Sequence, residues 1–266
     1  MLLINNYNDL YKRINDDSSL LVVRLGNVET TSFLRGHIYE QMFTNAGFYC
    51  KKGKPNEIYS KWKNLYYKAV LKCDVMLDVV SCDSFQIVGD FMNLINSFVP
   101  ALAYVEDPEW WIKNIICRYK GTIGIVSYFK EDIEKQITVL DKIWPQYKIK
   151  NKFLVVKSHN TTSGNTPHNN WLETYKDLCR RIDSKSEPNL WLVSAGCYGL
   201  PVCYHISHTN KKKAIYVGGL LQLLFGLKGK RWDEREEVKK HYNDSWIYSE
   251  QKPTNAEQVE GWCYGK

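Results

Sequence analysis

Short apolar runs alternating with longer amphipathic stretches constrain this chain more than any other feature. The runs are "LLVVRL" (20–25), "VMLDVV" (75–80), "TIGIVSYF" (122–129), "KFLVVKS" (152–158), "NLWLVSA" (189–195) and "KAIYVGG" (213–219). Each is too short for a typical helix and lacks strict polar alternation, which predicts strands buried on both faces. Between them, Ile58, Trp62, Leu65, Ala69 and Cys73 recur at helical spacing, so an amphipathic helix is expected over 57–73. Helices are also expected at 7–14, 84–95, 130–144, 169–182 and 199–208. Another should begin at Asp107-Pro108-Glu109, where a cap, a first-turn proline and an acid follow one another. Strand and helix in alternation imply one α/β domain over 1–266. The expected fold is Rossmann-like, a mostly parallel sheet with helices on both faces and an irregular polar tail from about 233 wrapping the surface. In that architecture ligands collect beyond the carboxyl ends of the strands.

Composition narrows the partners. The chain has 266 residues, 44% hydrophobic and 24% charged, and a formal net charge of +7, which favours anionic ligands such as phosphates or acidic head groups. Aromatics make up 14% and suit stacking on sugars or bases as much as filling an irregular core. Acidic residues are interspersed with the basic ones and no nucleic-acid motif occurs, so no nucleic-acid partner is expected. No stretch reaches the roughly 18 to 20 apolar residues that cross a bilayer. The start "MLLINNYNDLYKR" lacks the pattern of a secretory signal. Eight cysteines occur without a CxxC pair, which speaks against structural zinc and for a reducing interior. The expectation is a cytoplasmic protein, at most peripheral to a membrane.

The strand ends carry the candidate chemistry. "SAGCYGLP" places Gly196, Tyr198 and Gly199 at a turn entering a helix, a seat for phosphate or simply a turn that needs glycine. "VGGLLQLLFGLKGKRWDE" joins Gly218-Gly219 and Gln222 to Lys228, Lys230 and Arg231, which would receive a diphosphate; the plain alternative is a solvated basic loop. It is not a Walker loop, and "GCYGLP" is not the dinucleotide fingerprint. Ser127 ends the 122–129 run. In "RLGNVE", Glu29 with Asn27 offers oxygen ligands for a divalent cation (Mn or Mg), and Gly26 leaves room for close approach. Glu29 equally suits the first turn of a helix. Arg24 at a strand end needs Glu29, another carboxylate or a ligand phosphate as partner. Asp78, Asp83 and Glu131 lie near strand ends as loose candidates for a general base. His159 and His168 flank the polar "NTTSGNTP" loop, while His205 and His208 read as surface or satisfied residues of one helix.

"RLGNVE", "IVSYFKEDIEKQ", "SAGCYGLPVCYHI", "AIYVGGLLQLLFGLKGKRWD" and "VEGWCYG", in this order, resemble a group of polysaccharide-cluster proteins. More distantly the chain resembles bacterial glycosyltransferases of the D-type fold, in which a strand–helix turn carries an Asp-x-Glu motif. The resemblance implies a nucleoside-diphosphate sugar as donor and a glycan or lipid-linked acceptor. Carried over, Glu29 would be the metal-associated catalytic carboxylate; read with the residues themselves, Glu29 would bind metal or orient the donor while Arg24 and the Lys228–Arg231 cluster stabilise the leaving diphosphate. Asn27 stands where that family has Asp, so the motif is one carboxylate short. That departure also suits a non-catalytic nucleotide- or glycan-binding subunit.

Overall fold

The computed structural model describes residues 6–38, 40–78, 101–259 and 262–265. The expected helix over 84–95, and Asp83 with it, lie outside the described residues. The apolar runs form a parallel sheet: β1 (Leu20–Arg24), β2 (Val75–Asp78), β4 (Ile123–Ser127), β5 (Phe153–Lys157), β6 (Leu190–Val193) and β7 (Lys213–Tyr216), joined by β3 (Ala101–Ala103). Among the described residues this sheet has seven strands in the order β3-β2-β1-β7-β6-β4-β5, with β1 near its centre; Val22 is in register with Val75 on one side and Ile215 on the other.

The runs lack polar alternation because both faces are covered. Leu20 and Val22 of β1 enter one core, Leu21 and Val23 the other. The first core packs under α1 (Tyr7–Asn15), α5 (Pro108–Trp111), α6 (Lys130–Ile137) and α7 (Leu140–Ile143). The second packs under α2 (Asn27–Arg35), α3 (Glu40–Thr44), α4 (Pro55–Leu71), α8 (Trp171–Asp183) and α9 (Gly199–Tyr204). The chain is therefore α/β and Rossmann-like. Among the described residues no helix is long and apolar enough to cross a membrane.

Local signals account for several boundaries. Asp107 caps α5 by accepting from the Glu109 N–H, and Asn170 caps α8 by accepting from the Glu173 N–H. The helix expected over 130–144 instead breaks between α6 and α7. There the Thr138 hydroxyl donates back to the Lys135 carbonyl at 2.7 Å, and the Val139 N–H bonds three residues back to Gln136. The one expected over 199–208 ends as α9 and passes into a π turn, His205–Thr209.

The segment after 233 does more than wrap the surface. Val238, Trp246, Ala256 and Trp262 are buried in the first core, and β9 (Ile247–Tyr248) pairs parallel with β8 (Leu227–Lys228). Polar residues dominate its composition, but its scattered large apolar side chains decide where it packs. After β1 the chain turns to the face of α2; after β7 it turns to the opposite face, that of α5. Divergence of adjacent strand connections opens a crevice at the β1/β7 switch point.

Candidate functional site

A cavity of about 310 Å³ lies at the carboxyl end of the sheet. Its lining comes from the segments after six strands: Arg24, Gly26, Asn27 and Glu29 after β1; Tyr104 and Glu106 after β3; Ser127 at the end of β4; His159 after β5; Gly196 and Tyr198 after β6; Gly218, Gly219 and Gln222 after β7. Arg231, Trp232, Arg235 and Tyr264 close it from the C-terminal segment.

The paired glycines have a physical reason. Gly218 has φ +71°, and a Cβ there would lie 3.1 Å from Arg24 Nη1; one at Gly219 would lie 3.4 Å from Arg231 Nη1. The turn thus admits two guanidinium groups to its backbone. Arg24 also sits over the Tyr104 ring at 5.0 Å, and its Nε is buried with no hydrogen-bond partner among the described residues. A buried donor left unbonded by the protein is costly unless a ligand takes it. Arg231 stands over Trp232 and Tyr264, 5.1 Å from each ring centre. Arg235 adds a further cation and pairs with Glu106.

Glu29 lies in the first turn of α2 and is only 8% exposed. Its carboxylate accepts from its own backbone N–H and folds over Gly26, where a Cβ would sit 2.3 Å from Glu29 Oε2. Burial pushes its pKa up, and the positive charge of Arg24 offsets this only in part. Ionising Glu29 is then harder in the folded chain than in the unfolded one. Its stabilising contribution is complete below the ordinary value of 4.5 and is lost as pH rises through the folded value. Glu29→Gln removes that loss. The stability of the variant relative to the native chain should therefore climb in urea titrations as pH rises above 4.5 and through the folded value. A difference that stays flat with pH would show that Glu29 ionises alike in both states.

Other expected site residues have structural duties. Tyr198 is buried, stacks on Trp171 at 5.3 Å and receives the Thr161 hydroxyl at 3.1 Å. Gln222 donates to the carbonyls of Leu227 and Lys228, tying down β8. The Ser127 hydroxyl accepts from the Phe129 N–H at 3.2 Å.

Three of the expected site residues, Gly199, Lys228 and Lys230, do not line the cavity. Gly199 serves packing, since a Cβ there would collide with the Tyr216 ring at 2.1 Å. The Lys228 ammonium lies over the rings of Tyr242 and Tyr248, at 5.5 and 5.0 Å, drawn there by the aromatic faces of the C-terminal segment. Lys230 is exposed at the start of a short helix, Lys230–Asp233. Of the "KGKR" cluster only Arg231 points its charge to the site. Glu131 is also held away, by Lys157 at 2.8 Å.

Sequence reasoning missed Arg235, Tyr104 and Glu106. Arg235 follows Arg231 at a spacing of four, which was a usable signal for a shared face. Nothing local marks Tyr104 or Glu106.

The lining does not fit a resident divalent cation at Glu29. Such an ion wants several hard oxygen ligands, yet the other lining carboxylate, Glu106, is paired with Arg235. Among the described residues, the groups of three potential ligands are His159–His168–Asp177 and Asp107–Glu109–His241, and neither includes Glu29. His205 bonds Asp183 at 2.7 Å and His208 stacks on Tyr204, so they share no site. Comparison of the chain with family models, curated proteins and solved structures gives no match.

Proposed function

We propose that this chain is a glycosyltransferase that takes a sugar from a nucleoside-diphosphate donor and passes it to a glycan or lipid-linked acceptor. The observation that carries the reading is Arg24, with its buried unbonded Nε, set beside Arg231 against paired glycines at the switch point. Guanidinium groups match phosphate oxygens in a bidentate fork, and a leaving diphosphate gains charge as the sugar departs. Fixed cations aimed at that charge lower the barrier without reorganising. Tyr104, Trp232 and Tyr264 supply flat faces for the base or the sugar. The reaction would run in the cytoplasm, with Glu29 orienting the donor and metal assistance tested rather than assumed.

The second reading is a non-catalytic nucleotide- or glycan-binding subunit, favoured by Asn27 in place of a carboxylate and by the absence of a described ligand triad at Glu29. Diphosphate release from a panel of nucleoside-diphosphate sugars, with and without manganese and beside Glu29→Gln, separates the two. Turnover of one donor that falls in the variant supports the transferase. Binding by thermal shift without turnover supports the subunit, and no binding of any donor removes the transferase and leaves only a glycan-binding subunit.

A further inference from the structure

We infer that His159 is the general base that deprotonates the acceptor hydroxyl, held in place by Asp177; this rests on the transferase reading. His159 follows β5 and lines the cavity. Its Nε2 lies 3.5 Å from Asp177 Oδ2 on α8. With the Nε2–H turned to that carboxylate, Nδ1 is the nitrogen that keeps a free lone pair.

The support around the pair is rigid. Asp177 is gripped by Arg180 and Arg181, each at 2.8 Å, and Arg181 also donates to the Lys157 carbonyl, at the end of the strand that leads into His159. The His168 ring stands edge-on to His159, 5.5 Å away, with its own Nδ1 3.0 Å from the Thr174 hydroxyl. Two guanidinium groups on the only carboxylate of the His159–His168–Asp177 group disfavour a metal cation there and leave proton transfer as its chemistry.

The charges facing His159 are Asp177, Arg181 and His168. Burial, then Arg181, pull its pKa below the ordinary histidine value against the opposing pull of Asp177. The ring is therefore neutral at neutral pH. Other titratable groups of the lining are less suited: Glu106 is paired with Arg235, Glu29 is folded against its own helix start, and burial raises Tyr104 to about 12 and Tyr128 above its ordinary value.

In the step, the acceptor oxygen attacks the anomeric carbon and its proton passes to His159 Nδ1. The bond from the anomeric carbon to the phosphate oxygen breaks, and its electron pair leaves with the nucleoside diphosphate. The imidazolium is stabilised by Asp177 and later returns its proton to water. One displacement from the opposite side inverts the anomeric centre.

His159→Gln tests the assignment, with water or an added glycan as acceptor. Thermal shift by the nucleoside diphosphate should persist, while donor turnover falls by about 100-fold or more. The acidic limb of kcat/KM against pH should vanish. Asp177→Asn should keep the limb but move it to lower pH, a readout that a purely structural role would leave in place. Native turnover and an intact limb in His159→Gln, or a product of retained configuration, would overturn the base assignment and leave the transferase standing. A native protein that neither binds nor turns over any donor would instead overturn the transferase itself.

Discussion

Arg24→Ala should weaken nucleoside-diphosphate binding by roughly 30- to 5,000-fold, the span that corresponds to truncating one member of a buried charge pair. Isothermal calorimetry with the diphosphate alone reads this without an acceptor. The reason lies in where β1 ends. The side chain leaves a fully buried strand, crosses the Tyr104 ring at 5.0 Å and reaches the backbone of Gly218. Among the described residues its Nε has no partner to lose, so the variant forfeits ligand contacts more than internal ones. Arg24→Lys keeps the charge but not the planar fork, and should recover only part of the affinity. Equal affinity in the native protein and Arg24→Ala would remove the diphosphate from this end of the cavity.

The sheet was legible because its cause is local. A run such as "LLVVRL" is apolar at successive positions, and only a strand covered on both faces buries all of them. The strand-end location of the cavity followed from the same alternation. Arg24, Glu29, Gly218 and Arg231 were readable as chemistry at strand ends, and they meet in one lining. Lys228 and Lys230 were not separable from Arg231 by sequence, since three cations within four positions look alike. What takes Lys228 away is contact with Tyr242 and Tyr248, residues a dozen or more positions away whose approach depends on β8 pairing with β9, while Lys230 is exposed at the start of its short helix. The pairing of His159 with Asp177 was hidden for the same reason: it needs Asp177 and Arg181 of α8 brought to the end of β5. Glu29 was legible in both of its guises, helix-start acid and cavity carboxylate, and the fold gives it both.

The turn after β6 is held from behind, and breaking that hold should have the largest effect on stability. Trp62 on α4 is fully buried, stacks on Tyr59 at 5.3 Å and tilts against Tyr66 at 5.1 Å. Its indole N–H donates to the Cys197 carbonyl at 3.0 Å, while Trp171 donates to Cys197 Sγ at 3.1 Å. Cys197 lies between Gly196 and Tyr198, both in the cavity lining, so the two tryptophans fix a wall of the site from within the core. Trp62→Ala should cost about 3–5 kcal/mol in lost burial and residual cavity. The Cys197 carbonyl, left without its donor, adds about 1–3 kcal/mol. Against a total of about 5–15 kcal/mol for a typical domain, the variant should be largely unfolded or close to it, with its urea midpoint moved far down. Trp62→Phe separates the two contributions, because a ring still fills most of the space and only the hydrogen bond goes. It should stay folded, lose a smaller share of stability and bind the diphosphate less tightly through a loosened Gly196 turn. If Trp62→Phe matched the native chain in both midpoint and affinity, the indole hydrogen bond would have no part in shaping the site, and packing by α4 alone would hold the wall.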